Sequence, residues 1–233
     1  MADVREALVE PPAFERLFHL FLDHLPQRHG LGLGKAGVRI DATFVEVPRQ
    51  RNRREQNALI QQGVVPQEFI DPPAVGAHKD GAARWTQKNH ETYYGYKDHV
   101  KVDVADKLIL DGVTTAASVH DSQPIAGLIQ AGDPAVYADS AYRGAQIAAG
   151  LSGKSVEGRI CEKGTRAAAL TEEQKGGNRE KSRVRARVEH VFAQMTGSMR
   201  ALRQRGIGLA RNDGGIKLTH LVHNLLRFEQ IKR

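Results

Sequence analysis

Residues 93–117 read YYGYKDHVKVDVADKLILDGVTTAA, and this stretch decides the fold. Tyr94, Tyr96, Val100, Val102 and Val104 alternate with Lys97, His99, Lys101 and Asp103, the period of two that marks a strand with one apolar face. The turn Ala105-Asp106-Lys107 leads into a second apolar run, so the stretch predicts a β-hairpin. Working outward, VRIDATFVEV (38–47) predicts a strand by its β-branched content, and AVYAD (135–139), following Asp133-Pro134, predicts a short buried one. Ser118 with Asp121 three residues later reads as a capping box opening a helix through Leu128 and Ile129. Helices are further expected over 13–25, ended by Pro26, over 145–151, over roughly 182–200, and through Leu218, Leu221, Val222, Leu225 and Phe228. Residues 152–181 read as loop. Residues 48 to about 91, with Pro48, Pro66, Pro72 and Pro73, read as a long polar excursion, a length that in a compact domain points to function or mobility. The order of elements predicts an α/β fold, a mixed sheet with helices on its faces.

The 233 residues can bury a substantial core, and 40% apolar with 26% charged is ordinary globular composition. One cysteine, Cys161, excludes a disulfide framework. No apolar run is long enough to span a bilayer, and the opening MADVREALVE has no secretory pattern, so no membrane role and a cytoplasmic location are expected. Lys and Arg number 34 against 27 acids, a net charge of +7 that points to a polyanionic partner. The excess is clustered. Arg49, Arg51, Arg53 and Arg54 form one group; Lys175, Arg179, Lys181, Arg183, Arg185 and Arg187 form a second; eight basic residues between Arg200 and Arg233 form a third. Any one run reads equally well as a solvated face, but three together favour phosphate contacts with strong salt dependence.

Two aspartates interrupt apolar runs. Asp41 lies inside VRIDATFV, where Asp is disfavoured and an uncompensated buried carboxylate is costly. Asp139 ends the strand AVYAD, and carboxyl ends of adjacent strands form the ligand edge of such sheets. Glu189 lies at the border of the apolar stripe Val184, Val188, Val191, Phe192, Met195 and Met199, with Arg185 one turn earlier on the same side. Alone, Glu189 reads best as a partner of Arg185. Three such oxygen donors suit Mg²⁺, and a metal pair could drive in-line phosphoryl displacement. Other signals are weak. Gly32, Gly34 and Gly37 spell G-x-G-x-x-G, but a strand follows where a helix is required. The ten histidines include no H-E-x-x-H, and Ser140 lacks a nucleophile-elbow frame. Trp85 with Tyr93, Tyr94 and Tyr96 reads as core or anchor material rather than a base-stacking set.

The blocks IDATFVEVPRQRN (40–52), YYGYKDHVKVD (93–103), SVHDSQ (118–123), YADSAYRG (137–144) and SRVRARVEHVF (182–192) together resemble the DDE transposases of bacterial insertion sequences. The resemblance runs from about residue 13 to the C-terminus. It implies a ribonuclease-H-like catalytic domain with Asp41, Asp139 and Glu189 as catalytic and metal-binding triad, Mg²⁺ as cofactor and Mn²⁺ as a substitute. It also implies hydrolytic cutting of double-stranded DNA at transposon ends, attack of the freed 3′-hydroxyl on target DNA, and a homodimer on that DNA. In many relatives a Tyr-x2-Arg-x3-Glu-x6-Lys signature marks the last helix. Here Arg185 and Glu189 fit, Ser182 stands for Tyr and Thr196 for Lys, with Arg200 a substitute phosphate contact on the same helical side. Arg49, Arg51, Arg143, Lys181, Arg183, Arg185, Arg187 and Arg200 are the expected DNA contacts. Residues 1–35 read as a shrunken N-terminal helical domain and 36–233 as the catalytic domain. The alternatives are a non-catalytic DNA-binding remnant or inhibitor derived from a truncated transposase, and a host nuclease of the same fold.

Overall fold

The computed structural model describes residues 12–164 and 168–233, with Pro12 and residues 185–187 described by backbone alone. Strand β1 (Val38–Glu46) is followed by helices α2 (Arg54–Gln61) and α3 (Pro73–Gly76) and strand β2 (Arg84–Lys88). The expected hairpin is β3 (Glu91–Asp103) and β4 (Ile109–Ala116), joined by a turn whose Asp103 and Asp106 carry it. Then come α4 (Ile125–Leu128), β5 (Ala135–Ala138), α5 (Ala145–Gly153), β6 (Glu157–Ile160), α6 (Glu172–Thr196) and α7 (Leu209–Lys232), while α1 (Pro12–His29) precedes β1.

The six strands make one mixed sheet. β1 pairs antiparallel with β3 and parallel with β5; β4 and β2 lie along the far side of β3, and β6 extends the parallel side. Period-two alternation divides β1 between two cores. Val38 and Ile40 pack with Val136, Ala138, Ile125, Leu128 and Ile147 beneath α4 and α5. Val45, with Tyr96, Val100 and Val102 of β3, packs against Phe18, Leu22 and Leu25 of α1, Val188, Val191 and Met195 of α6, and Ile216 of α7. The fold is therefore a mixed α/β sheet flanked by helices, as the sequence predicts, and is consistent with the ribonuclease-H-like domain that the resemblance implies.

Several expected boundaries differ. Helix α1 continues through Pro26 to His29, because a proline in the last turn forfeits one hydrogen bond without preventing the final turn from closing on Gly30. The capping box at Ser118 does not form. Asp121 instead pairs with Lys97, and the only helix there is the short α4. Residues 152–181 are not wholly loop: they hold β6 and the first turns of α6, whose true capping box is Thr171 with Gln174. That helix ends at Thr196, with Gly197 as its C-cap, so Arg200 lies in the following turn and not on the helix. The excursion is partly structured, closing with β2 paired to β3.

Candidate metal and nucleic-acid site

Strand β1 places Asp41 on the sheet face that faces α6, in register with Val100 of β3. The parallel register on the other side pairs Val38 with Val136 and Arg39 with Tyr137. Continued two residues further, the same parity would set Asp41 level with Asp139, which lies just past the end of β5. The β1–β5 pairing itself stops at Arg39 and Tyr137, and residues 140–142 turn into a 3-10 helix that Asp139 caps by accepting the Ser140 amide. Helix α6 packs across β1 and β5. It carries Glu189, which is exposed and follows the buried Val188.

Asp41 is half-buried and heavily partnered. Its Oδ2 receives the guanidinium of Arg39 at 2.5 Å, and its Oδ1 accepts the Ala42 amide at 2.9 Å. Arg39 is the compensating charge that an aspartate inside an apolar strand requires; it is itself only 1% exposed. Sequence reasoning missed it, although residues i and i+2 of a strand share a face and the pair is readable from parity alone.

Two more groups join this edge. The Tyr142 side chain is buried, and its hydroxyl has no hydrogen-bond partner among the described residues. Burial, then the negative charges of Asp41, Asp121 and Asp139, push its pKa well above the ordinary phenol range, against the opposing pull of Arg39. That ordering places the hydroxyl within the field of three carboxylates at once. Asp121 is held by Lys97, whose ammonium donates to Asp121 Oδ1 at 2.8 Å and to the Val119 carbonyl at 2.8 Å. The block SVHDSQ thus contributes an anchored carboxylate rather than a helix cap.

Among the described residues, no group of three or more His, Cys, Asp or Glu side chains is gathered closely enough to hold a metal ion. Asp41 lies within β1, Asp139 directly follows its parallel neighbour β5, and Glu189 lies on α6, which packs across both strands. The donor chemistry nonetheless fits a hard divalent cation, because the converging side chains are carboxylates and a phenol with neither thiolate nor imidazole among them.

The expected DNA contacts with described side chains fall into three areas. Arg49 and Arg51 are exposed at the start of the excursion, with Arg49 stacked 5.5 Å from the Trp85 ring centre. Trp85 is half-exposed, whereas Tyr94 and Tyr96 are buried in the core, so the aromatic set divides between surface and interior. Beyond the strand end, Arg143 pairs with Glu162 and Lys181 donates to the Ile160 carbonyl at 2.9 Å. Arg183 is exposed. The side chains of Arg185 and Arg187 lie outside the described residues. Arg200, although off the helix, lines a cleft with Thr43, Phe44, Glu46, Tyr93, Thr196, Arg203 and Arg205 beside the part of β1 that extends past its pairing with β5. The backbone of residues 202–204 docks on that part of β1 through Glu46.

A central strand carrying one carboxylate, its parallel neighbour ending in a second, and a helix bearing a third across the same face define the ribonuclease-H-like class of nucleic-acid-processing domains. A family model of the transposase DDE domain matches residues 32–225, most of the chain, and the chain belongs to that family. Membership places it among DNA-binding proteins of DNA transposition, in a family that uses divalent metal ions. No solved structure matches the chain. Among the described residues, no helix is long and apolar enough to cross a membrane.

Proposed function

We propose that the chain is an active transposase that cuts phosphodiester bonds at transposon ends and joins the resulting 3′-hydroxyl to target DNA. What supports this most is that Asp41 lies on β1, Asp139 directly follows its parallel neighbour β5, and α6 packs across both strands, within a chain of this family. Asp41 and Asp139 would hold Mg²⁺, with Mn²⁺ as a substitute, and Glu189 would close on them from α6. Bound there, divalent ions would activate the attacking oxygen and offset charge on the phosphate. The chain's own groups do the rest. Asp139 is steadied by the Ser140 amide, and the Tyr142 hydroxyl offers a buried donor beside the carboxylates. Arg49, Arg51, Arg143, Lys181, Arg183, Arg185, Arg187 and Arg200 would contact phosphates, with Arg143 and Lys181 exchanging their present partners for DNA oxygens. The proposed working form is a homodimer on DNA in the cytoplasm.

The test is nicking of duplexes carrying the element's ends in Mg²⁺ or Mn²⁺, comparing wild type with Asp139→Asn. Loss of nicking on the order of a hundredfold or more with DNA binding retained is expected. Equal nicking by both proteins refutes the assignment. Binding without nicking by either protein would favour the non-catalytic remnant, and cutting without end joining would favour a nuclease of host function.

A further inference from the structure

We propose that Arg39 is a positioning residue that acts as a built-in cation for Asp41, so that a divalent ion binds Asp41 only in competition with the guanidinium. The inference rests on the proposed reading of Asp41 as a metal ligand and deepens it.

The geometry is specific. Strand parity sets Arg39 and Asp41 on one face, and two residues of strand rise separate their Cα atoms by about 6.7 Å, a span that the arginine side chain covers by lying along the strand. Its Nη2 meets Asp41 Oδ2 at 2.5 Å. The guanidinium is almost fully enclosed, with Val102 of β3 opposite in register and Tyr137 of β5 on the other side. Burying a guanidinium is expensive, and an apolar side chain at this position would pack between these neighbours without that cost. The Asp41 carboxylate offsets that cost. Arginine also stays protonated throughout the working pH range, so the countercharge is permanent.

A divalent ion arriving at Asp41 meets a fixed positive charge one hydrogen bond away. It must share Oδ2 with the guanidinium or displace it, and the repulsion lowers metal affinity in the chain alone. DNA phosphates bring negative charge to the same place and offset that repulsion. Arg39 thereby couples metal loading to the presence of DNA, which restrains idle metal occupancy.

The experiment measures Mn²⁺ binding to the full chain by titration calorimetry, with and without duplex, for wild type, Arg39→Gln, Arg39→Lys and Asp41→Asn. Without DNA, Arg39→Gln is expected to bind Mn²⁺ on the order of tenfold more tightly than wild type, with Arg39→Lys restoring wild-type affinity. Duplex should raise wild-type affinity by a larger factor than it raises that of Arg39→Gln. Folded Arg39→Gln protein with wild-type affinity overturns the inference. Asp41→Asn binding Mn²⁺ as wild type does overturns the ligand assignment itself, a separate outcome. If the Arg39 variants do not fold, the Arg39 side-chain Nε–H resonance of wild type is followed as Mg²⁺ is added. A shift at saturation supports the competition, and an unmoved signal refutes it.

Discussion

Lowering the pH from 7 to 5 should destabilise this protein through one buried imidazole. His99 lies on β3 with no solvent exposure, and burial, the dominant cause, pushes its pKa down to about 4. Asp121 and Asp98 pull it up without outweighing the burial, and Lys97 adds to the lowering. The local bonding explains why charging is resisted. Thr115 donates its hydroxyl to the Ala116 carbonyl, so His99 Nε2–H donates to Thr115 Oγ1 at 2.9 Å. A proton added at Nδ1 would find no acceptor, since that atom has no partner among the described residues. The unfolded chain binds this proton near pH 6.5 and the folded chain only near 4. Between those values the unfolded state holds more protons, so stability is present above the window and is lost as pH falls through it. The full lowering corresponds to about 3 kcal/mol, of which about 2 kcal/mol is lost by pH 5. For a chain of this size that is a fall in Tm of about 4–8 °C. Urea unfolding of wild type and His99→Gln at both pH values isolates the effect, because the amide can still donate to Thr115 and cannot titrate. Wild type should lose about 2 kcal/mol more than the variant. A residual slope in the variant is expected from His223, whose pKa burial also lowers. Identical pH dependence in the two proteins would refute the reasoning.

Two further perturbations test the frame that carries the site. Lys101 and Asp133 form an ion pair at 2.7 Å with both side chains buried, so Lys101→Met should cost about 3–5 kcal/mol by stranding a buried carboxylate. Adding Asp133→Leu should recover most of that loss, and thermal unfolding of the single and double variants measures both. Gly95 sits at φ +143° where β1, β2 and β3 meet, and a Cβ there would lie 2.3 Å from the Val45 carbonyl oxygen. Gly95→Ala should therefore cost about 3 kcal/mol or more, read as a Tm depression, and a neutral result would contradict the described register.

The sheet was legible because its strands keep one period for long enough to be read. β3 carries apolar Tyr94, Tyr96, Val100 and Val102 at period two, although Asp98 breaks the series and its last six residues are buried on both faces, and β1 and β5 announce themselves by β-branched or apolar runs. What escaped reading was short or locally contradictory. β6 is four residues, EGRI, with three exposed, and gives periodicity nothing to act on. The start of α6 contains Gly176 and Gly177, which lower helix propensity and mask the TEEQ capping box that opens the helix. The rival box at Ser118 matched the same pattern but lost to tertiary bonding, because Asp121 gains a charge-assisted bond to Lys97. In the candidate site, Asp41 and Asp139 were legible as carboxylates in apolar strands. Tyr142 was not, since nothing in YADSAYRG tells a buried phenol from an exposed one. Arg39 could have been found by asking which neighbour on the same strand face compensates Asp41.

The excursion between β1 and β2 takes a different meaning from its bonding. Asp80, buried near its end, accepts the Ala82 and Ala83 amides, the single proton of the Tyr96 hydroxyl, which lies within reach of both its oxygens, and the Gly208 amide at the start of α7. Gln50 locks the opposite end by donating to the Asp80 carbonyl and accepting the Asp80 amide, and Lys79 ties in the Arg51 carbonyl. The segment is thus fastened at both ends to the central strand β3 and to α7, and β2 zips it along β3. A loop fixed in this way has already lost much of the backbone freedom that binding would otherwise remove. The proposed phosphate contacts of Arg49 and Arg51 therefore start from a fixed base rather than a mobile arm. Because Arg49 leaves β1 only eight residues after Asp41, whatever orients that strand also sets where the first basic cluster meets the DNA.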